Sequence, residues 1–255
     1  MQEENLVGIR GVLFDKDGTL LDFNSIWIPV TCNFIEEVLK LCGIDDRHNV
    51  LRNELLEAMG ISCNSIDPDG IAAHGTMDDI NKVFTDILGK YGVKYSPGKD
   101  TYEKIAVLMK QLMIKYSENI KPVGDINKLL ESLRRKGLYI GIATADIIDS
   151  AQYCMEKLGI LDYFDFIGGD DGIVKSKPHP DLMFAFCEKC RLRPEEVAVI
   201  GDTPSDMMFA KNSGAGLAVG VLCGVGSRKN LEELADIICP STTDILLKNG
   251  KFIWE

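Results

Sequence analysis

The chain has 255 residues, of which 39 are acidic and 28 basic, for a formal net charge of −11. That length suits one large domain or a core with an accessory module, and 45% hydrophobic with 26% charged residues excludes a disordered or collagen-like chain. With no basic block longer than Arg134-Arg135-Lys136, so acidic a protein lacks the electrostatic footprint of a nucleic-acid or anionic-membrane binder, and neither is expected as a partner.

The opening Met1-Gln2-Glu3-Glu4-Asn5 has no basic stretch, and no apolar run approaches ~18 residues, so neither a signal peptide nor a membrane span is expected and the location expected is cytoplasmic. Eight cysteines are too dilute for a disulfide scaffold. Cys187-Glu188-Lys189-Cys190 has neither a second pair nor a histidine at zinc-ligand spacing, and reads as packing.

In chain order, Ile9-Arg10-Gly11-Val12-Leu13-Phe14 reads as a buried strand running into the polar turn Asp15-Lys16-Asp17-Gly18-Thr19. Residues 23–119 then carry only helical spacings, such as Phe34, Val38 and Leu41, or Ile80, Val83, Phe84, Ile87 and Leu88. Lys121-Pro122-Val123-Gly124 marks a boundary. Beyond it, the runs 139–144, 164–167, 197–200, 217–221 and 235–238 alternate with helix-length segments, a βαβ rhythm. The expected fold is α/β: a Rossmann-like parallel sheet with helices on both faces, formed by residues 1–22 with 120–255, and an all-helical domain inserted at 23–119.

Ligands of an open parallel sheet bind beyond the carboxyl ends of its strands. The residues to inspect there are Asp15, Lys16, Asp17, Gly18 and Thr19, then Thr144 with Ala145, then Lys177, then Gly201, Asp202 and Asp206. Singly, each has a plainer reading: Asp17-Gly18 as a turn, Thr144 as a strand-end hydroxyl, Lys177 as a loop cation, Asp202 and Asp206 as caps of a helix starting near Pro204.

Taken in order, Asp15-x-Asp17-Gly18-Thr19, Thr144, Lys177 and Gly201-Asp202-x-x-x-Asp206 resemble the four motifs of the haloacid-dehalogenase-type phosphohydrolases, in the subgroup similar to phosphoglycolate phosphatase, where a helical cap follows the first motif. The resemblance implies hydrolysis of a small phosphorylated metabolite, phosphoglycolate-like or a sugar phosphate, with Mg²⁺ as cofactor. It makes Asp15 the nucleophile and Asp17 the acid/base. Metal ligands would be Asp15, Asp202, Asp206 and the Asp17 carbonyl. Phosphoryl oxygens would be held by the Thr144 hydroxyl, the Lys177 ammonium and the backbone N–H groups of Lys16, Asp17 and Ala145. A phosphomutase keeps the same motifs and is the alternative; a non-catalytic phospholigand-binding module is a third reading. Asp22, Asn24, Trp27, His74 and Thr76 are candidates for leaving-group contacts, Thr76 also as the cap of a helix at Met77. Two residues depart from the pattern. Lys16 stands where an apolar residue is commoner, and the second motif continues as Ala145-Asp146 where Asn or Ser more often follows the Thr, Asp146 bringing an extra negative charge to the site.

Overall fold

The computed structural model describes residues 8–45, 49–62, 65–67, 70–75, 77–95, 99–170 and 173–255. The chain divides into two compact units, Met1–Asp22 with Pro122–Glu255, and Phe23–Lys121. Among the described residues no helix is long and apolar enough to cross a membrane.

The chain enters the first unit through strand β1 (Gly11–Phe14), in which every residue is buried. It then crosses into the second unit, made of α1 (Phe23–Leu41), α2 (Val50–Ala58), β2 (Ile61–Ser62), β3 (Ser65–Ile66), α3 (Ile71–His74), α4 (Met77–Lys90) and α5 (Lys99–Lys115). Its core sets Phe34 edge-on to Phe84 at 5.6 Å, and Tyr95 donates its hydroxyl to the buried Asn81 at 2.8 Å. The expectation of an all-helical insert is corrected here: β2 and β3 pair antiparallel, with Ile61 opposite Ile66 and both buried. Two residues per strand are too few to show an alternating pattern, and the ribbon is held instead by this apolar cross-strand pair. His74 closes α3; Thr76 lies outside the described residues.

Back in the first unit come α6 (Ile126–Arg135), β4 (Tyr139–Ile147), α7 (Ile148–Lys157), β5 (Phe166–Asp170), α8 (Asp181–Cys190), β6 (Val197–Gly201), α9 (Pro204–Ser213), β7 (Leu217–Val221), α10 (Arg228–Leu231) and β8 (Ile237–Cys239). The six core strands are parallel, in the order β5-β4-β1-β6-β7-β8. Numbered along the chain this is 3-2-1-4-5-6, the doubly wound order, whose direction of growth reverses at β1 and opens a crevice past the carboxyl ends of β1 and its neighbours.

β5 and β8 each begin two residues later than the apolar runs suggest, because an aspartate stands ahead of each. Asp165 accepts the Ile140 N–H at 2.9 Å and Asp236 the Ala218 N–H at 2.8 Å, so a carboxylate occupies the place of a ladder carbonyl. Cys187 and Cys190 of α8 are buried free thiols, and burial pushes both up to about 11. A protonated thiol is neither a ready nucleophile nor a metal ligand.

Candidate active site

An extended chain sends successive side chains to opposite faces. Leu13 therefore packs into the core with Met183 and Phe186 of α8 and Met207 of α9, and Asp15, two residues on, emerges on that same side at the end of β1. Its own N–H continues the sheet by donating to the Ile200 carbonyl at 2.8 Å, so the backbone that carries Asp15 is fixed by the ladder. Lys177, a few residues ahead of α8, brings its ammonium to Asp15 Oδ1 at 2.6 Å and to Asp206 Oδ1 at 2.6 Å.

Asp206 uses its other oxygen differently. Thr203 is the N-cap of α9, with Pro204 in the first turn, and Asp206 Oδ2 accepts both the Thr203 N–H at 2.9 Å and the Thr203 hydroxyl at 2.7 Å. One carboxylate thus closes the helix start and faces the lysine, and the capping reading and the cluster reading hold together.

Asp202 is fully buried. It accepts the Thr19 hydroxyl at 3.1 Å and the Val225 N–H at 2.8 Å. Two glycines make room for it: Gly18 has φ +88°, and a Cβ on either Gly18 or Gly224 would collide with its carboxylate. Thr19 is itself anchored, its carbonyl accepting the Thr242 hydroxyl at 2.6 Å. Sequence reasoning places Thr19 in the first motif without a task of its own and does not single out Gly224 or Thr242; the Gly224-Val225-Gly226 turn after β7 is the one local hint of close backbone approach.

One carboxylate oxygen from each of Asp15, Asp202 and Asp206 lies within 4.8 Å of the others, all three residues being buried. Three carboxylates around one lysine leave an excess of negative charge in a desolvated place. Burial pushes the Asp15 carboxyl up to about 7, against the pull of Lys177 and with a push from Asp206 and Asp17. Burial, then Asp15 and Asp206, likewise hold Asp202 well above the usual carboxylate range. An all-oxygen donor set with surplus negative charge fits a hard divalent cation, which would neutralise that excess. The Asp17 side chain is not part of this cluster.

Asp17 turns instead to Lys16. The Lys16 ammonium is fully buried, 2.6 Å from Asp17 Oδ2 and 3.1 Å from Asp146 Oδ2. Burial alone would push a lysine down; the Asp17 and Asp146 carboxylates outweigh it and hold Lys16 above its ordinary value. The extra charge of Asp146 is therefore matched by the other departure from the family pattern, rather than left facing a substrate. Thr144 is buried near the end of β4, where the register with β5 shifts between Ala143 and Ile147. Its hydroxyl oxygen accepts the Asp146 N–H at 3.1 Å, which leaves the hydroxyl proton to donate elsewhere. Ala145 is half-buried in the same irregular stretch, while Asp22 and Asn24 are exposed and Trp27 half-buried.

The sequence matches the haloacid dehalogenase-like hydrolases over residues 9–214, and the chain belongs to that family. It is an enzyme of the phosphatase type. A phosphoglycolate phosphatase of Shigella dysenteriae serotype 1 is 30% identical over 245 residues, 93% of this chain and 91% of that one. A protein of Clostridium perfringens, provisionally named pyrophosphatase PpaX, is 31% identical over 207 residues, 81% of each chain. Among solved structures, a predicted phosphoglycolate phosphatase from Haemophilus somnus superposes with a TM-score of 0.67 at 21% identity, over 93% of this chain and 96% of that one, a likeness of fold.

Proposed function

We propose that the protein is a Mg²⁺-dependent phosphatase that hydrolyses a small phosphorylated metabolite, phosphoglycolate-like or a sugar phosphate, through an aspartyl-phosphate formed on Asp15. The observation that carries this reading is Lys177 bridging Asp15 and Asp206 at 2.6 Å each, beside Asp202. A buried carboxylate so placed has a cation to screen it from an incoming phosphate dianion.

Asp15, Asp202, Asp206 and the Asp17 carbonyl would hold the metal, which when bound supplies positive charge to the phosphoryl oxygens and aligns phosphorus on the nucleophile. An Asp15 oxygen attacks phosphorus, and the bond from phosphorus to the leaving oxygen breaks. Asp17 delivers a proton to that oxygen, then takes one from the water that cleaves the aspartyl-phosphate, returning both aspartates to their starting states. The Thr144 hydroxyl, the Lys177 ammonium and the N–H groups of Lys16, Asp17 and Ala145 hold the phosphoryl oxygens meanwhile. The unit Phe23–Lys121 is read as the cap that selects the leaving group.

The test is phosphate release from a panel of small phosphomonoesters, with Mg²⁺ and after chelation, for the wild type and Asp15→Asn. No release from any of them, or an Asp15→Asn variant above about a hundredth of the wild-type rate, would refute the reading. A phosphoenzyme that persists in water and discharges only to a second sugar phosphate would identify a phosphomutase instead.

A further inference from the structure

Lys16 carries a charge into the core, and the fold sets two carboxylates from different segments against that charge. By the alternation that turns Asp15 toward Lys177, Lys16 turns to the opposite face, toward Cys154 of α7, where burial pushes the thiol up to about 11. Its ammonium sits between Asp17, two residues from the nucleophile, and Asp146, in the last residues of the neighbouring strand β4. The Asp146 N–H is in turn bonded to the Thr144 hydroxyl, and the Asp146 carboxylate accepts the Ile147 N–H at 2.8 Å, which fixes the side chain against its own backbone.

We propose that Lys16 and Asp146 are a positioning pair for this active site: the buried ammonium grips Asp17 by one carboxylate oxygen, so that the carboxyl is presented to the leaving group in one orientation, and Asp146 ties that grip to the end of β4 that bears Thr144. The role rests on the phosphatase reading above, because it is Asp17 as proton donor and acceptor that gives the orientation a use. A carboxylate held by one oxygen has its plane defined, and general acid/base transfer depends on geometry before anything else. A single anion beside a fully buried lysine would match its charge but leave it attached to one turn only. With two, the lysine links the turn after β1 to the carboxyl end of β4, the two segments that carry the acid/base aspartate and the phosphate-binding hydroxyl.

The rival explanation is a core ion pair that stabilises the fold and does nothing to proton transfer. Leaving-group dependence separates the two. The rate ratio between an alkyl phosphate, whose leaving oxygen needs a proton, and p-nitrophenyl phosphate, whose leaving group departs without one, would be measured for wild type, Lys16→Met, Asp146→Asn and the double variant, together with melting temperatures. Lys16→Met should lower the alkyl-to-aryl ratio in kcat/KM by about tenfold or more, a part of the 10²–10⁴ that a positioned acid/base group supplies. Asp17→Asn should then cost less in the Lys16→Met background than in the wild type, as expected of residues acting as one unit.

The double variant removes the charge that Lys16→Met leaves uncompensated at Asp146. It should regain melting temperature without regaining the ratio. If Lys16→Met does not fold, the double variant alone decides. Equal losses with both substrates, or a ratio restored in the double variant along with its stability, would overturn the positioning role. Wild-type protein that releases phosphate from neither substrate would overturn the phosphatase reading and this role with it, whereas an active wild type whose ratio is unchanged in the variants overturns the role of Lys16 alone.

Discussion

Metal-free protein should lose stability as pH rises from 4 to 8, and a divalent cation should restore it. Asp15 is raised from an ordinary 3.8 to about 7, chiefly by burial, and Asp202 is shifted in the same direction by burial and its two aspartate neighbours. Between the unfolded and folded values the native state holds the extra proton, so the stability linked to each group is fully present below about 4 and is lost as pH rises through the folded pKa. At about 1.4 kcal/mol per unit, the Asp15 rise from 3.8 to about 7 amounts to about 4 kcal/mol, or on the order of 10 °C in melting temperature for a protein this size.

The assay compares melts in chelator at pH 5 and pH 8 for wild type and Asp15→Asn, whose amide cannot ionise. The wild type should fall more steeply between the two by about 2–3 kcal/mol, the share of that loss that lies above pH 5. Mg²⁺ at a hundred times its dissociation constant should raise wild-type stability at pH 8 by about 2.7 kcal/mol and do little at pH 5, where protons compete for the same oxygens. Identical pH dependence in wild type and variant, or a larger Mg²⁺ shift at pH 5, would refute the account of a proton-holding acidic cluster.

Asp17→Asn should lower the rate with alkyl phosphates by about 10²–10⁴ and much less with p-nitrophenyl phosphate; equal losses would remove its acid/base role. Lys177→Ala should raise KM and lower kcat, because Asp15 and Asp206 lose the cation between them, while Lys175→Ala, at an exposed position, should change neither kinetic constant beyond twofold or so. Gly18→Ala forces a Cβ into the Asp202 carboxylate at φ +88°, and should cost about 1–3 kcal/mol in a melt and weaken Mg²⁺ binding by calorimetry. Asp206→Asn keeps an oxygen to accept the Thr203 N–H but loses the charge facing Lys177, so it should weaken Mg²⁺ binding at near wild-type stability; Asp206→Ala should lose the cap too, at about 0.5–2 kcal/mol more.

Parallel strands buried on both faces leave continuous apolar runs, which is why Val197–Gly201 and Leu217–Val221 can be read off the sequence. Their spatial order cannot, since β1 pairs with β4 and β6, strands far from it along the chain, and nothing local to Gly11–Phe14 names either partner. Strand starts fail for a different reason. Asp165 and Asp236 imitate ladder carbonyls with side chains, and a propensity pattern registers only an aspartate unsuited to a strand. The β2–β3 ribbon escapes because a period of two needs more than two residues to be visible.

The order of the acidic residues is legible because a parallel sheet collects its carboxyl ends at one edge: Asp15, Lys177, Asp202 and Asp206 each follow or flank a strand end, and they meet. Lys16 and Asp146 are legible only as oddities, each an isolated charge in its own motif. Their connection follows once two facts are joined. Alternation along the strand turns the residue after Asp15 into the core, where a lysine is tolerated only beside an anion. The strand order makes β4 the neighbour of β1, so the anion must come from the end of β4 or from the turn itself, and Asp146 and Asp17 are the carboxylates found there. A charge that looks misplaced in one motif is thus a reason to look for its counter-ion at the end of the adjacent strand, and Asp206 adds the converse lesson: two readings of one carboxylate need not compete when each uses a different oxygen.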